Sequence, residues 1–415
     1  MRWLERLIGR EIAQGALLGS GLMAARVLLQ AIYLVMTARA LSVAGYGQFA
    51  AVVSLVAIVA PLAGLGSGMV MLKEVAREPA RLASSWAATL RLTIYSGLVF
   101  AALLIPFSIA VLPGVEWRLA AAVVAAEVLA TPLIVAAALA FQALGHFGAA
   151  HAVSLVLYAV RLAAAGLMLF WLAEPTPAAF AGAHLAATAI GAAAALILVQ
   201  WRLRPRLASR AARASWREGL PYAASGVIGL VNNELDKPLL LRLAGADAAG
   251  AFAAAFRLAS AVTAPVGALM LAAAPVLFRE AGAPPTRALR VLAVALGYSL
   301  IAAVCVVGFA WLAPVLLGQT FAASVALLQW LAPWLVCNAA RHIGNTALTT
   351  RGHQNVRLAL EGAAAAASAV LNVVRIPTLG ALGAVCALTL TDAMIGILAW
   401  LFLLVRRRNG ILERP

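Results

Sequence analysis

Long apolar runs recur along the whole chain of 415 residues, and they restrict its fold more than any other feature of the sequence. Each run reaches about 18 residues or more, the length that an α-helix needs to cross the hydrocarbon core of a bilayer. Charged residues make up 11% of the chain, whereas a soluble domain carries about 25%. Together with a mean hydropathy of +0.98, this pattern predicts an all-α polytopic membrane protein.

Proline, glycine and charged residues divide the apolar sequence into twelve predicted transmembrane helices. An even number of spans places both termini on the same side of the membrane. The predicted spans are 13–38, 47–72, 87–112, 118–144, 150–173, 178–201, 219–243, 248–278, 289–317, 322–349, 356–375 and 380–405.

Lysine and arginine are distributed unevenly between the two sides of these spans. The segments on the side of the termini hold 22 of them, whereas the opposite loops hold 4, namely Arg39, Arg118, Arg242 and Arg375. Cytoplasmic loops of membrane proteins carry such an excess of basic residues, so we expect both termini to be cytoplasmic. The excess of basic residues in the cytoplasmic segments also explains the net charge of +16. We therefore expect no nucleic acid partner.

The sequence has no pattern typical of an enzyme. The three cysteines, Cys305, Cys337 and Cys386, lie in apolar runs and are expected to be small buried side chains without a disulfide. Metal-ligand spacing is absent, and the predicted outer loops are too short for a catalytic domain. We therefore expect no enzymatic activity, no catalytic residue, no metal site and no cofactor.

The two halves of the chain resemble each other. GQFAA at 47–51 is matched by GAFAA at 250–254, at an offset of 203 residues, and Gly145-His146 is matched by Gly352-His353, at an offset of 207. The repeat predicts an N-terminal lobe over 1–207 and a C-terminal lobe over 208–415. Each lobe would be a six-helix bundle, and a pseudo-two-fold axis along the membrane normal would relate them, as in transporters that work by alternating access.

Ten charged residues remain inside the predicted spans. Each costs about 2.5–3.5 kcal/mol at the centre of a transmembrane helix, so they must pair with one another or line a wet cavity. The basic members are Arg26, Arg161, Lys237, Arg257 and Arg341, and the acidic members are Glu127, Glu234, Asp236, Glu361 and Asp392.

Helical spacing places several of these charges on polar faces. We expect those faces to line a cavity between the lobes, although a structural ion pair remains open for Arg161, Arg257 and Glu361. The first span carries Arg26, Gln30, Tyr33 and Thr37 on one face, and the tenth carries Asn338, Arg341, Asn345 and Thr349. The candidate substrate-binding residues are Arg26, Gln30, Asn232, Asn233, Asp236, Lys237, Arg257, Asn338, Arg341 and Asn345.

The stretch VNNELDKP at 231–238 is the most polar part of any predicted span. It lies too far from either end of that span to be a loop. Pro238 disfavours helical geometry at Lys237, so the stretch predicts a kinked helix. Glu234 and Lys237 are three residues apart and are expected to form a local pair.

Asp236 requires a different partner in this interpretation. An unpaired carboxylate in the cavity would repel an anionic substrate. We therefore expect Asp236 to pair with Arg26 or Arg257 when the site is empty, and substrate phosphate to compete for that arginine.

Five segments resemble motifs of a known family. The run RALSVAGYGQF at 39–49 resembles the R-x-L-x-x-x-x-Y-G-x-F signature of polysaccharide transporters, in the multidrug/oligosaccharidyl-lipid/polysaccharide exporter superfamily. The other segments follow in the order of that family, so that the resemblance spans nearly the whole chain: GLG at 64–66, KEVAR at 73–77, FQALGHFGAA at 141–150 and LNVVRIPTLGALGAVCALTLTD at 371–392.

The resemblance implies a flippase that moves an undecaprenyl-diphosphate-linked oligosaccharide across the bacterial inner membrane. It also implies a role in cell-surface polysaccharide biosynthesis, as for the O-antigen of lipopolysaccharide, with membrane lipids and glycan polymerase or assembly proteins as partners. The side chains suit this substrate, because arginine binds phosphate in a bidentate manner and amides suit sugar hydroxyls.

Three other functions stay open. A multidrug or cation exporter of the same superfamily would favour acidic or aromatic side chains in its site. A lipid II flippase is a closer alternative, although such proteins typically have two more helices. A membrane glycan polymerase or ligase would need a long outer loop. The sequence leaves the coupling ion, proton or sodium, undetermined.

Overall fold

The structure is a computed structural model that describes residues 10–172, 175–205, 216–279 and 286–408. The protein is all-helical, and no strand occurs in these ranges. The chain forms two compact units, Met1–Val227 and Ile228–Pro415. The predicted lobe boundary, between 207 and 208, lies outside the described residues and stays a prediction.

The first unit begins with eight helices, and polar residues set the start of two of them. The Ser42 hydroxyl accepts a hydrogen bond from the Gly45 amide, and the Thr176 hydroxyl accepts one from Ala179. The helices are α1 (Arg10–Ala40), α2 (Val43–Val59), α3 (Ser67–Arg77), α4 (Leu82–Val111), α5 (Trp117–Val124), α6 (Thr131–Ala143), α7 (Phe147–Trp171) and α8 (Pro177–Arg202).

Helix α9 (Trp216–Glu234) begins in the first unit and ends in the second. Eight helices follow it: α10 (Asp236–Ala244), α11 (Ala246–Val262), α12 (Ala264–Arg279), α13 (Thr286–Phe309), α14 (Leu312–Leu317), α15 (Ser324–Thr350), α16 (Gln354–Leu379) and α17 (Ala381–Arg408).

A helix occupies each of the twelve predicted spans. Among the described residues, eight helices are long and apolar enough to cross a membrane, and a ninth span results if the pair α11 and α12, which meet at 42°, counts as one. The three remaining segments lie in α1, in α9 with α10, and in α15. The count of twelve spans therefore stays a prediction.

Two turns support the sequence repeat locally. After α6, the amides of Gly145 and His146 donate to Gln142 and Phe141. After α15, the amides of Gly352 and His353 donate to Thr349 and Leu348 in the same pattern. The glycines have φ angles of 76° and 77°, in the left-handed region that this helix-terminating motif requires.

Two breaks place polar residues at mid-helix. A π-helical segment, Ala125–Ala130, joins α5 to α6 and contains Glu127; π-turns are frequent at functional sites. A helix break lies in the stretch that was predicted to kink, because α9 ends at Glu234 and α10 starts at Asp236. The break falls at Leu235, and Lys237 itself is helical although Pro238 was expected to disfavour this.

Each unit has its own apolar core. In the first unit, Met71, Trp86, Phe141 and Val199 are buried together in one cluster. In the second unit, Met270, Ile343 and Leu403 belong to a comparable cluster. Many other large apolar side chains are exposed, as expected for surfaces that face lipid, including Leu98, Phe170, Ile197, Ile301 and Val374.

Candidate functional site

The polar face of α1 divides into two parts. Tyr33 and Thr37 turn into the first unit, where the Tyr33 hydroxyl lies 2.9 Å from His184 Nδ1 and the Thr37 hydroxyl donates to the Tyr33 carbonyl at 2.7 Å. Arg26 and Gln30 lie further toward the N-terminus of α1 and are partly exposed. The four residues therefore do not act as one surface.

Arg26 is an uncompensated cation in this part of the molecule. Its Nε atom is buried without a hydrogen-bond partner. In the described part of the first unit, no carboxylate lies close enough to the guanidinium to form an ion pair. An arginine in this state inside an apolar helix retains its capacity to bind an anion.

A buried network around Glu127 holds four segments of the first unit together. Arg161 Nη2, from α7, donates to Glu127 Oε1 at 2.7 Å. His184 Nε2, from α8, lies 2.9 Å from the same oxygen. A carboxylate only accepts hydrogen bonds, so Nε2 carries the proton and Nδ1 accepts from the Tyr33 hydroxyl.

Two threonines complete this network. Thr131 donates to Glu127 Oε2 at 3.1 Å, and Arg161 Nε donates to Thr188 at 3.0 Å. The carboxylate therefore has a partner on each oxygen. A fully satisfied polar network of this kind rigidifies a buried region, which favours the structural ion pair left open for Arg161.

The second unit contains a three-residue charge cluster at the break between α9 and α10. Lys237 is 1% exposed, and its Nζ lies 3.0 Å from Asp236 Oδ1 and 3.2 Å from Glu234 Oε2. The ammonium also lies 4.0 Å from the centroid of the Phe256 ring. The local pair between Glu234 and Lys237 is confirmed, and Lys237 serves Asp236 as well.

This cluster also explains the backbone break. The Lys237 amide donates to Asp236 Oδ1 at 2.9 Å instead of continuing the helix. The Asn233 carbonyl, which that amide would otherwise bond, accepts a hydrogen bond from Lys237 Nζ. Pro238 has no amide proton to donate to Glu234. Side chains thus replace the backbone partners that the break removes.

A second buried cluster surrounds Asp392 of α17. Arg341 Nη1 lies 2.6 Å from Asp392 Oδ1. Asn338 Nδ2 and Trp334 Nε1 donate to Asp392 Oδ2 at 3.0 and 2.9 Å. Two predicted site residues, Asn338 and Arg341, are therefore adjacent, but they bind a carboxylate of their own unit.

A third cluster forms around Glu361 of α16. Asn345 Nδ2 donates to Glu361 Oε1 at 2.8 Å, and Arg357 Nε lies 3.4 Å from the same oxygen. Asn232 Nδ2 donates to the Glu361 carbonyl at 3.3 Å. Glu361 Oε2 and the side-chain oxygens of both asparagines are buried without a partner.

Two hydroxyl groups near the end of α11 bond to nearby backbone. The Ser260 hydroxyl donates to the Phe256 carbonyl, and the Thr263 hydroxyl donates to the Ser260 carbonyl. Arg257 on this helix is exposed.

Eight of the ten predicted site residues thus lie in the second unit, in the three clusters or on α11, and Arg26 and Gln30 lie in the first. Among the charges predicted to lie inside spans, Glu127, Glu361 and Asp392 were not candidate site residues. His184, Trp334 and Phe256 were not predicted as partners, because they contact their partners across different helices. No group of three or more metal-ligating side chains occurs in the described residues.

Several solved structures with a similar fold are transporters or flippases. An inward-facing multidrug-resistance MATE family transporter of the MOP superfamily matches with a TM-score of 0.73 at 15% identity, over 93% of this chain and 95% of that one. The lipid II flippase MurJ matches with a TM-score of 0.71 at 12% identity, over 93% and 87%. A MOP superfamily transporter from Pyrococcus furiosus matches with a TM-score of 0.65 at 14% identity, over 97% and 96%.

These similarities define a multi-pass membrane protein with the fold of MOP superfamily transporters. A match to a sequence model establishes the family. The sequence model described as polysaccharide biosynthesis protein matches residues 12–280, and the chain belongs to that family. A comparison with curated protein sequences gives no match.

Proposed function

We propose that this protein is a flippase for an undecaprenyl-diphosphate-linked oligosaccharide. It would carry the lipid-linked glycan from the inner to the outer leaflet of the bacterial inner membrane, for cell-surface polysaccharide such as O-antigen. Membership of the polysaccharide biosynthesis family and the transporter fold support this function. Twelve spans, two pseudo-symmetric bundles and cytoplasmic termini complete the proposed architecture.

One observation carries the choice of an anionic substrate. The in-span acids Glu127, Asp236, Glu361 and Asp392 each have a basic partner within 4 Å, whereas Arg26 has no acidic partner in the described part of its own unit. A site for cationic drugs needs an available carboxylate, whereas a diphosphate needs an available cation. The charges therefore favour phosphate binding at Arg26 over multidrug export.

In the proposed cycle, the Arg26 guanidinium contacts the diphosphate and Gln30 contacts a sugar hydroxyl. The polyprenyl chain remains in lipid while the head group crosses. Alternating access requires the substrate to make different contacts in the two states of the transporter. The contact between the Arg26 guanidinium and the diphosphate would form only when substrate is bound. The coupling ion of this cycle, proton or sodium, is left undetermined.

Lipid II flipping is a second candidate, because the lipid II flippase MurJ has a similar fold. Both substrates carry a diphosphate, so Arg26 would serve either. Deletion of the gene distinguishes them: we expect an oligosaccharide-diphosphate lipid to accumulate in the inner leaflet while lipid II turnover continues. Accumulation of lipid II with unchanged oligosaccharide lipids would contradict the proposed substrate.

A further inference from the structure

A groove lies at the C-terminal end of α8, in the first unit. It has a volume of about 590 Å³ and is lined by Ile197, Gln200, Trp201, Arg204 and Pro205. The first three of these residues are spaced by three and four positions, so they share one face of α8. Ile197 is 67% exposed and Trp201 is 64% exposed, so the apolar wall of the groove is open to the surroundings of the protein.

The chemical character of the groove changes along α8. Apolar Ile197 comes first, Gln200 and Trp201 follow one turn later, and basic Arg204 comes last. Because α8 is long and apolar enough to cross a membrane and ends at Arg202, the groove lies where this span meets the membrane surface. A phospholipid has the same order from the bilayer interior outward, namely acyl chain, glycerol and phosphate. The groove therefore matches a lipid molecule that lies along α8.

The backbone turns sharply at the basic end of the groove. Arg204 has a φ angle of 45°, in the left-handed region that a residue with a side chain rarely adopts. Besides Arg204, only Leu65 among the non-glycine residues of the described ranges has a positive φ. The turn leaves the Arg204 side chain exposed and the following Pro205 buried. Backbone strain of this kind is frequent where a chain holds a ligand.

The charge around the groove is positive. Residues 175–217 contain six arginines and no aspartate or glutamate. Arg202 stacks on the Trp201 ring, 5.3 Å from its centroid. The next acid along the chain, Glu218, pairs with Lys73, and the other ion pairs in the described part of the first unit also involve residues outside the groove. The groove therefore has the charge that an anionic ligand requires.

We infer that this groove binds an anionic phospholipid of the surrounding membrane, of the phosphatidylglycerol class, on the predicted cytoplasmic side. The Arg204 guanidinium contacts the phosphate, and the Gln200 amide contacts the glycerol hydroxyls of the head group. An acyl chain lies against Ile197 and Trp201, and tryptophan is common at this depth of a membrane. Basic clusters directly after a transmembrane helix attract anionic lipids. The inference concerns a lipid of the membrane itself, so it does not rest on the proposed glycan substrate.

Titration of the purified protein with defined lipids tests this inference. Native mass spectrometry measures the occupancy of phosphatidylglycerol and, separately, of zwitterionic phosphatidylethanolamine. We expect a saturable first adduct of phosphatidylglycerol, at least about fivefold tighter than that of phosphatidylethanolamine. Arg204→Ala should weaken it about fivefold, the usual contribution of one basic residue at an anionic surface, and Arg204→Lys should be intermediate. Equal affinity for the two lipids, or no saturable adduct because the chain itself fills the groove, would overturn the inference.

Two matched controls separate the groove from general attraction by the arginines. Arg210→Ala removes the same charge from the same connection and should change the affinity for phosphatidylglycerol less than about twofold. Trp201→Ala should weaken binding at least about threefold, because an acyl chain loses its apolar wall. Trp117→Ala, at a tryptophan that is 60% exposed and also stacks with the arginine after it, should not. Equal losses for Arg204→Ala and Arg210→Ala, or for the two tryptophan variants, would contradict a site in the groove.

Arg26→Ala distinguishes this lipid from the substrate of the proposed flippase. Arg26 does not line the groove, so this variant should bind phosphatidylglycerol with the affinity of the parent protein. Loss of the adduct in Arg26→Ala, with binding retained in Arg204→Ala, would assign the bound lipid to the proposed substrate cation and overturn the inference. The titration measures no transport, so a protein that moves no glycan but shows the expected losses would support the groove and contradict only the proposed function.

Discussion

Arg341 and Asp392 form an ion pair at 2.6 Å between residues that are 51 positions apart in the sequence. Both side chains are almost fully buried. From sequence alone Arg341 is a candidate cation for the substrate, but the pair gives it a role in joining α15 to α17. This geometry indicates that Arg341 stabilises the second unit.

Arg341→Ala should therefore destabilise the protein rather than only reduce export. Removal of one partner of a buried pair leaves an uncompensated charge and costs about 3–5 kcal/mol. The melting temperature of the purified protein in detergent measures the loss, with Arg375→Ala, an exposed arginine, as the control. A melting temperature equal to that of the control would contradict the structural role.

Glu127 and Arg161 should be energetically coupled in the first unit. Glu127→Ala leaves the buried arginine without its carboxylate, so it should destabilise more than the double variant Glu127→Ala/Arg161→Ala does relative to Arg161→Ala. We expect a coupling free energy of about 0.5–3 kcal/mol from the double-mutant cycle. Additive effects of the two substitutions would show that the 2.7 Å pair has no energetic consequence.

Lys237 should be essential for assembly because it balances two acids. Lys237→Ala removes the cation that Asp236 and Glu234 share, and we expect little folded protein in the membrane. Adding Asp236→Asn should restore part of the folded yield by removing one negative charge. The amount of monodisperse protein after size-exclusion chromatography measures both effects, and no recovery in the double variant would refute this account of the cluster.

The basic asymmetry of the loops predicts the orientation of the chain. Single cysteines near Gly114 and Asp247 should react with a membrane-impermeant thiol reagent in intact cells, and one near Arg81 should react only after lysis. The three native cysteines are replaced beforehand. Labelling at Arg81 in intact cells would reverse the proposed topology.

Local features were predictable from the sequence, whereas long-range partners were not. The helix break before Pro238 and the pair Glu234–Lys237 depend on residues at most four positions apart, so backbone geometry and helical spacing suffice. The contact of His184 with Glu127 spans 57 positions and depends on how three helices pack. The need for in-span charges to pair was evident from their cost in lipid, but not which residues would pair.

The polar face of α1 also shows that helical spacing does not predict packing partners. Helical spacing places Arg26, Gln30, Tyr33 and Thr37 on one face, and all four lie on α1. Packing against α8 then withdraws Tyr33 into the Glu127 network, which no property of the α1 sequence indicates. Arg26 stays outside that network and has no acidic partner in the described part of the first unit.

Reconstituted transport tests the central claim most directly. Purified protein in lipid vesicles should translocate an undecaprenyl-diphosphate-linked oligosaccharide. Arg26→Ala should fold normally but move it at least about tenfold more slowly, since a charge-assisted phosphate contact is lost. Arg26→Lys should be intermediate, and Arg375→Ala should match the parent. Translocation by Arg26→Ala at the parent rate, or none by the parent protein, would contradict the account.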